Sequence, residues 1–168
     1  MTIKNSFKMV AVGAVLASMG AVGTARAQDV SVNGNVSGTV NSKFTITLDV
    51  AAVSFGFVDP GTTTDLLLAN TATCKTNHNT TWYLKLKYLA AVSDATLATK
   101  SSGGLGINQT AFTGMTAVDQ TTYTSAASEK TNLPNGTAIA LDYEMVADAN
   151  AVPGLKSWTV VYTMSETL

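Results

Sequence analysis

Thr81–Leu89 reads Thr-Trp-Tyr-Leu-Lys-Leu-Lys-Tyr-Leu. Trp82, Leu84, Leu86 and Tyr88 share one parity, and Thr81, Tyr83, Lys85 and Lys87 share the other. A period of two predicts a strand with one buried face and one wet face. Large apolar side chains on a single face need a second layer to pack against, so this stretch predicts a two-sheet protein.

The same period recurs on both sides of it. Lys43–Val50 places Phe44, Ile46, Leu48 and Val50 against Thr45, Thr47 and Asp49, and Val53, Phe55 and Phe57 continue the alternation. Asp59-Pro60-Gly61 predicts a turn, with proline fixing φ and glycine taking the positive-φ position. In the next strand Leu66, Leu68, Asn70, Ala72 and Cys74 fall on one parity, and Lys75–Asn79 is a polar turn. Ala90–Thr131 is less regular, and short strands with long surface loops are expected there. Leu133-Pro134-Asn135-Gly136 is a turn. Thr137–Val146 then carries Ile139, Leu141, Tyr143 and Met145 inward, with Asp142 and Glu144 outward. After Val152-Pro153-Gly154, Trp158, Val160, Tyr162 and Met164 share the inner face of a last strand. No convincing amphipathic helix interrupts the pattern. Seven or eight strands separated by turns predict an all-β sandwich with Greek-key connections, and a closed barrel is the alternative architecture.

The N-terminus has a different character. Lys4 and Lys8 precede an apolar, uncharged run over Met9–Gly23, and Ala25-Arg26-Ala27 supplies small residues before a cleavage site. This predicts a signal peptide over residues 1–27, an N-terminal extension over 28–41 and one β-domain over 42–168. The run is short for a membrane span, and no later one is longer and as apolar. Removing Lys4, Lys8 and Arg26 from 10 basic residues leaves seven against 11 acidic ones. The expected product is a secreted, mildly acidic protein of the extracellular space or cell surface. Its charge offers nothing to nucleic acid or to an anionic membrane.

The extension itself reads Asp-Val-Ser-Val-Asn-Gly-Asn-Val-Ser-Gly-Thr-Val over Asp29–Val40. Val30, Val32, Gly34, Val36, Gly38 and Val40 share one parity, with small polar residues on the other. This fits a first edge strand, a hairpin turning at Asn33-Gly34, or a strand lent to a neighbouring subunit.

Chemistry is sparse. His78 is the only histidine and Cys74 the only cysteine, and a polar turn separates them. A nucleophilic device or a zinc site needs more than this pair. Cys74 at inward parity suits a small buried apolar residue, with a bond to another chain or a reactive thiol as the alternatives. Asp142 and Glu144 are the pair that glycosidic acid–base work would require, but any solvated strand face offers such a pair. Asp59 and Asp65 flank a turn without the spaced oxygens of a calcium loop. Trp82 and Trp158 sit at inward parity, as core rather than as a sugar platform, whereas Tyr83 lies on the lysine face. Asn35, Asn79, Asn108 and Asn135 each begin an N-x-S/T sequon. Phe44, Ile46, Leu48, Phe55, Phe57, Trp82, Leu84, Leu86, Tyr88, Ile139, Leu141, Tyr143, Trp158, Val160 and Tyr162 are the expected core. No enzyme, cofactor or metal is expected.

Val53-Ser54-Phe55-Gly56-Phe57-Val58-Asp59-Pro60-Gly61, followed by Cys74 and the Trp82–Tyr88 strand, resembles the spore coat protein U-like family of secreted β-domains. Val152-Pro153-Gly154 and Thr159-Val160-Val161-Tyr162-Thr163 look like that family's closing turn and strand. Family members commonly have a second cysteine ahead of the F-G phrase, whereas Ser42–Ala52 has none here. The resemblance extends to subunits of archaic chaperone–usher pili. It implies an incomplete immunoglobulin-like sandwich, completed by the N-terminal strand of the next subunit. Val30, Val32, Gly34, Val36, Gly38 and Val40 would then be the donated face. The implied partners are further copies of the chain in a head-to-tail polymer (a pilus or fimbrium), with a periplasmic chaperone and an outer-membrane usher. The alternative is a monomeric secreted module for cell-surface adhesion or carbohydrate binding.

Overall fold

The computed structural model of the protein describes residues 37–41 and 43–168. Within them, nine strands form two antiparallel sheets. The strands are β1 (Phe44–Leu48), β2 (Thr63–Thr76), β3 (Tyr83–Tyr88), β4 (Ala95–Gly103), β5 (Ile107–Asn108), β6 (Thr113–Gly114), β7 (Gln120–Thr124), β8 (Thr137–Ala147) and β9 (Val160–Ser165). One sheet runs β1-β2-β8-β4-β6 and the other β5-β7-β3-β9. The only helical turn among the described residues is a 3-10 turn at Ala127–Glu129. The expected signal segment 1–27 and positions Val30, Val32, Gly34 and Val36 lie outside the described residues. Gly38 and Val40 are exposed and belong to no strand.

The core joins the inner faces of both sheets. Ala72, Cys74, Leu97, Ile139, Leu141 and Tyr143 come from one sheet, and Trp82, Leu84, Leu86 and Tyr123 from the other. The opening stretch thus becomes β3, with β7 and β9 on its two sides. Phe44, Ile46, Leu48, Phe55, Tyr88, Trp158, Val160 and Tyr162 are partly buried around this cluster. The indole of Trp82 donates to the Glu129 carbonyl at 2.9 Å, so its one polar group is paired inside the core.

Five expectations change. Phe57 is fully exposed rather than in the core, because Ala51–Val58 is not part of either sheet. Lys85, on the face expected to be wet, is buried in the middle of its sheet. Leu68 is exposed although it shares a parity with Asn70 and Cys74. A bulge in β2 between Leu66 and Asn70 sets two extra residues against β8, so the alternation holds on either side of it and fails only inside it, where Leu68 sits at φ 49°. Asp142, expected on a solvated face, is buried beside that bulge. Its carboxylate accepts the Leu68 amide at 2.6 Å and lies 3.5 Å from Lys100 Nζ. The Ala90–Thr131 stretch also holds a nine-residue strand, β4, where only short strands were expected.

Candidate functional site

A carboxylate ends the first strand. Asp49 Oδ1 accepts the Thr71 amide at 2.6 Å and the Val50 amide at 2.8 Å. The Asp49 amide still donates to the Thr71 carbonyl at 3.2 Å, so the carboxylate takes the place of Asp49's own main-chain carbonyl in the ladder, and the Thr71 bond holds its carboxyl below the usual range. Beyond it the chain leaves the sheet. Val53, Phe55 and Phe57 keep the alternation of a strand, yet Ala51–Val58 makes no backbone–backbone hydrogen bond among the described residues.

The other sheet has an open side at the same place. β9 pairs only with β3, so one edge of Val160–Ser165 is free among the described residues. β1 approaches β9. Where β1 stops, a cleft of about 1050 Å³ opens between the sheets. Ala51–Pro60 forms one wall and Lys156–Val160 with Tyr162 the other. Leu97, Tyr143, Met145 and Ala147 form the floor. Phe55 and Trp158 lie against the core from the two walls, while Phe57 and Leu155 stand exposed at the mouth.

Beside Tyr143 the floor carries an amide, Asn70, which is 4% exposed. Its Nδ2 donates to Tyr162 Oη at 3.0 Å, and Tyr162 Oη lies 2.6 Å from Tyr143 Oη. Burial, with Tyr162 beside it, pushes the Tyr143 phenol well above its usual range, so it stays a neutral hydroxyl. Asn70 Oδ1 has no partner among the described residues. Reversing the amide would move the orphan from oxygen to nitrogen without removing it. The signal was present in the sequence as an asparagine at inward parity between leucines and alanine.

A pinned loop borders the cleft. Asp94 Oδ2 accepts the Val152 amide at 2.9 Å and pairs with Lys156 Nζ at 2.6 Å. The Lys156 bond first, then the Val152 amide, holds the Asp94 carboxyl below its usual range.

The remaining candidates are structural in their contacts. Cys74 is a free thiol with no exposure, and burial, reinforced by the Glu129 carboxylate, pushes it up to about 12. His78 is partly buried instead of lying free in a turn. Its Nε2 is 2.7 Å from Glu166, its Nδ1 is 2.6 Å from Thr80 Oγ1, and its ring stacks at a tilt on Phe44. Among the described residues no three His, Cys, Asp or Glu side chains gather as metal ligands, and no helix is long and apolar enough to cross a membrane. Comparison with protein-family models, with curated proteins and with solved structures finds no match.

Proposed function

We propose that this chain is a structural subunit of an extracellular filament of the pilus type, an incomplete immunoglobulin-like sandwich that polymerises by lending its N-terminal strand. The observation that carries this reading is the cleft between Ala51–Val58, which makes no backbone–backbone hydrogen bond among the described residues, and the edge of β9 that is free among them. A strand laid there would pair with both edges and turn alternate side chains onto the apolar floor. Asp29–Val40 has the alternation to do so, with valines and glycines on one face.

The chain's own geometry favours exchange between copies. Asn77 fixes the start of the domain, accepting the Lys43 amide at 2.7 Å and donating to the Asn41 carbonyl at 3.0 Å. Phe44, just beyond, pairs with Thr76, at the far end of β1 from the cleft. A contact from the extension of one copy to the cleft of the next is heterologous and does not close, so it builds a fibre. The likeness of Val53–Gly61 and the Thr159–Thr163 strand to spore coat protein U-like domains supports the same reading.

The test is deletion of Asp29–Val40. Filaments seen by negative-stain microscopy for the full mature chain should vanish, leaving monomer or misfolded protein. Filaments that persist in the deletion variant would refute donation. If the full chain is a soluble monomer whose tryptophan fluorescence shifts with a glycan, the adhesion-module alternative takes its place.

A further inference from the structure

We infer that the open cleft binds a small uncharged molecule, apolar over most of its length and ended by one hydroxyl that both donates and accepts a hydrogen bond. This goes beyond the filament reading, because it concerns a subunit whose cleft holds no strand and rests on the lining of the cleft alone. At about 1050 Å³ the cleft stands at the upper end of the range of small-molecule sites. Phe55 and Trp158 in the walls, with Leu97 and Met145 in the floor, make its surface mostly apolar.

Asn70, Tyr143 and Tyr162 are the polar exception. Asn70 Nδ2 donates to Tyr162 Oη, and the two phenols share one hydrogen bond. Each phenol has one proton, and the bond between them uses only one of the two. One phenolic proton is thus left without an acceptor among the described residues, and Asn70 Oδ1 is left without a donor. With the amide reversed, Tyr162 would donate to Asn70 and Tyr143 to Tyr162, and the spare groups would be an amide N–H and a lone pair of Tyr143. In either orientation the buried triad offers one spare donor beside one spare acceptor. A single hydroxyl answers both, and leaving such groups unmet under an apolar ligand is costly.

Charge narrows the class. Among the side chains lining the cleft only Asp59 and Lys156 are charged, Asp59 is exposed, and Lys156 is already paired with Asp94. An ionised head group on the floor would lose its water without gaining a counter-charge. A sugar, with hydroxyls all round it, would leave most of them unmet against Leu97, Met145 and Trp158.

The test uses the monomer fraction of the full mature chain, with 1-decanol as probe and decanoate and glucose as comparisons. Trp158 stands in a wall of the cleft, so its emission reads occupancy, and Trp158→Phe should abolish the signal. 1-Decanol should give a saturable shift, decanoate at pH 8 should bind at least about tenfold more weakly, and glucose should give no shift. Asn70→Leu, which sets an apolar side chain of similar size in place of the amide, should weaken 1-decanol about three- to tenfold and leave decanoate nearly unchanged. Tyr162→Phe keeps the ring, removes the shared hydroxyl and should act alike. No saturable shift, equal binding of 1-decanol and decanoate, or unchanged 1-decanol binding in both variants would overturn the inference. Filaments separate this from donation. Their titration should give no shift where a strand fills the cleft, and a shift of undiminished size in filaments would refute donation while leaving the ligand site standing.

Discussion

A methyl group added at Gly106 would collide with the Thr124 carbonyl, the Ala126 amide and the Tyr123 hydroxyl at once. The close approach exists because the Gly106 amide donates to Tyr123 Oη at 2.8 Å. Gly106→Ala should therefore lose roughly 1–3 kcal/mol or more of stability by overpacking, read as a lower denaturant midpoint. An unchanged midpoint would mean the loop yields freely. The neighbouring Glu129 carboxylate is buried and accepts the Leu105 and Ala126 amides, each at 2.8 Å, along with the Tyr123 hydroxyl. Three donors converge there, a role that no sequence pattern announced, because Glu129 sits in a polar, irregular stretch. Cys74 was legible as a core residue from parity alone. Its raised thiol also makes a signed prediction. The group ionises near 9.0 when unfolded and near 12 when folded, so its contribution to stability is complete below pH 9 and is lost as pH rises toward 12. Tyr143 pushes the same way. Cys74→Ala should flatten the fall of stability between those pH values, and the native thiol should resist a thiol reagent until denaturant is added. Prompt labelling of native protein would contradict both.

At the scale of elements, strands with large side chains on one face were readable, and β3, β8 and β9 lie where their alternation placed them. Elements bent by a single side chain were not. Asp49 stops β1 by taking the Thr71 amide, and Asp142 props the β2 bulge by taking the Leu68 amide. Parity placed both carboxylates in solvent, where Asp49 is and Asp142 is not, and in neither case could it reveal the bond across the sheet. The alternation of Val53, Phe55 and Phe57 predicted a strand, but only Phe55 is turned toward the core, Gly56 sits at φ 71° and no partner strand is present among the described residues, so an unpaired wall stands there. Hydrogen exchange measures this directly. Amides of Ala51–Val58 should exchange rapidly in free subunits and slow markedly in filaments, whereas those of β8 should be slow in both. Equal, fast exchange of the wall in filaments would place the contact elsewhere. The opposite wall is held by Asp94. Because its carboxyl is depressed when folded, the pin holds above the ordinary value of 3.8 and is released as pH falls below it. Acid, or Asp94→Asn at neutral pH, should speed exchange of the Val152 amide and alter Trp158 emission. No effect of either would show the loop to be held by packing alone.

For the whole molecule, the decisive balance is between apolar filling and charge. The segment Asp29–Val40 carries one charged side chain, Asp29, and the cleft lining carries two, Asp59 and Lys156, of which Lys156 is already paired with Asp94. If Asp29–Val40 fills the cleft as proposed, electrostatics contributes little to its insertion. Between about 0.1 and 1 M salt the screening length falls from roughly 10 to 3 Å, which weakens contacts built on exposed charges and leaves apolar burial intact. Salting ions that are excluded from protein surfaces strengthen such burial. Filaments should accordingly keep their length and sedimentation across that salt range. On the proposed reading they should dissociate only in denaturant, at a concentration above the unfolding midpoint of the free subunit, because a strand leaving the cleft would open its ladder bonds and uncover the apolar floor together. The measurement is sedimentation of filaments against salt and against guanidinium, beside unfolding of the deletion variant in the same denaturant. Dissolution by 1 M salt alone would assign the subunit contact to charged outer surfaces, and the cleft would then have to be explained as a ligand site.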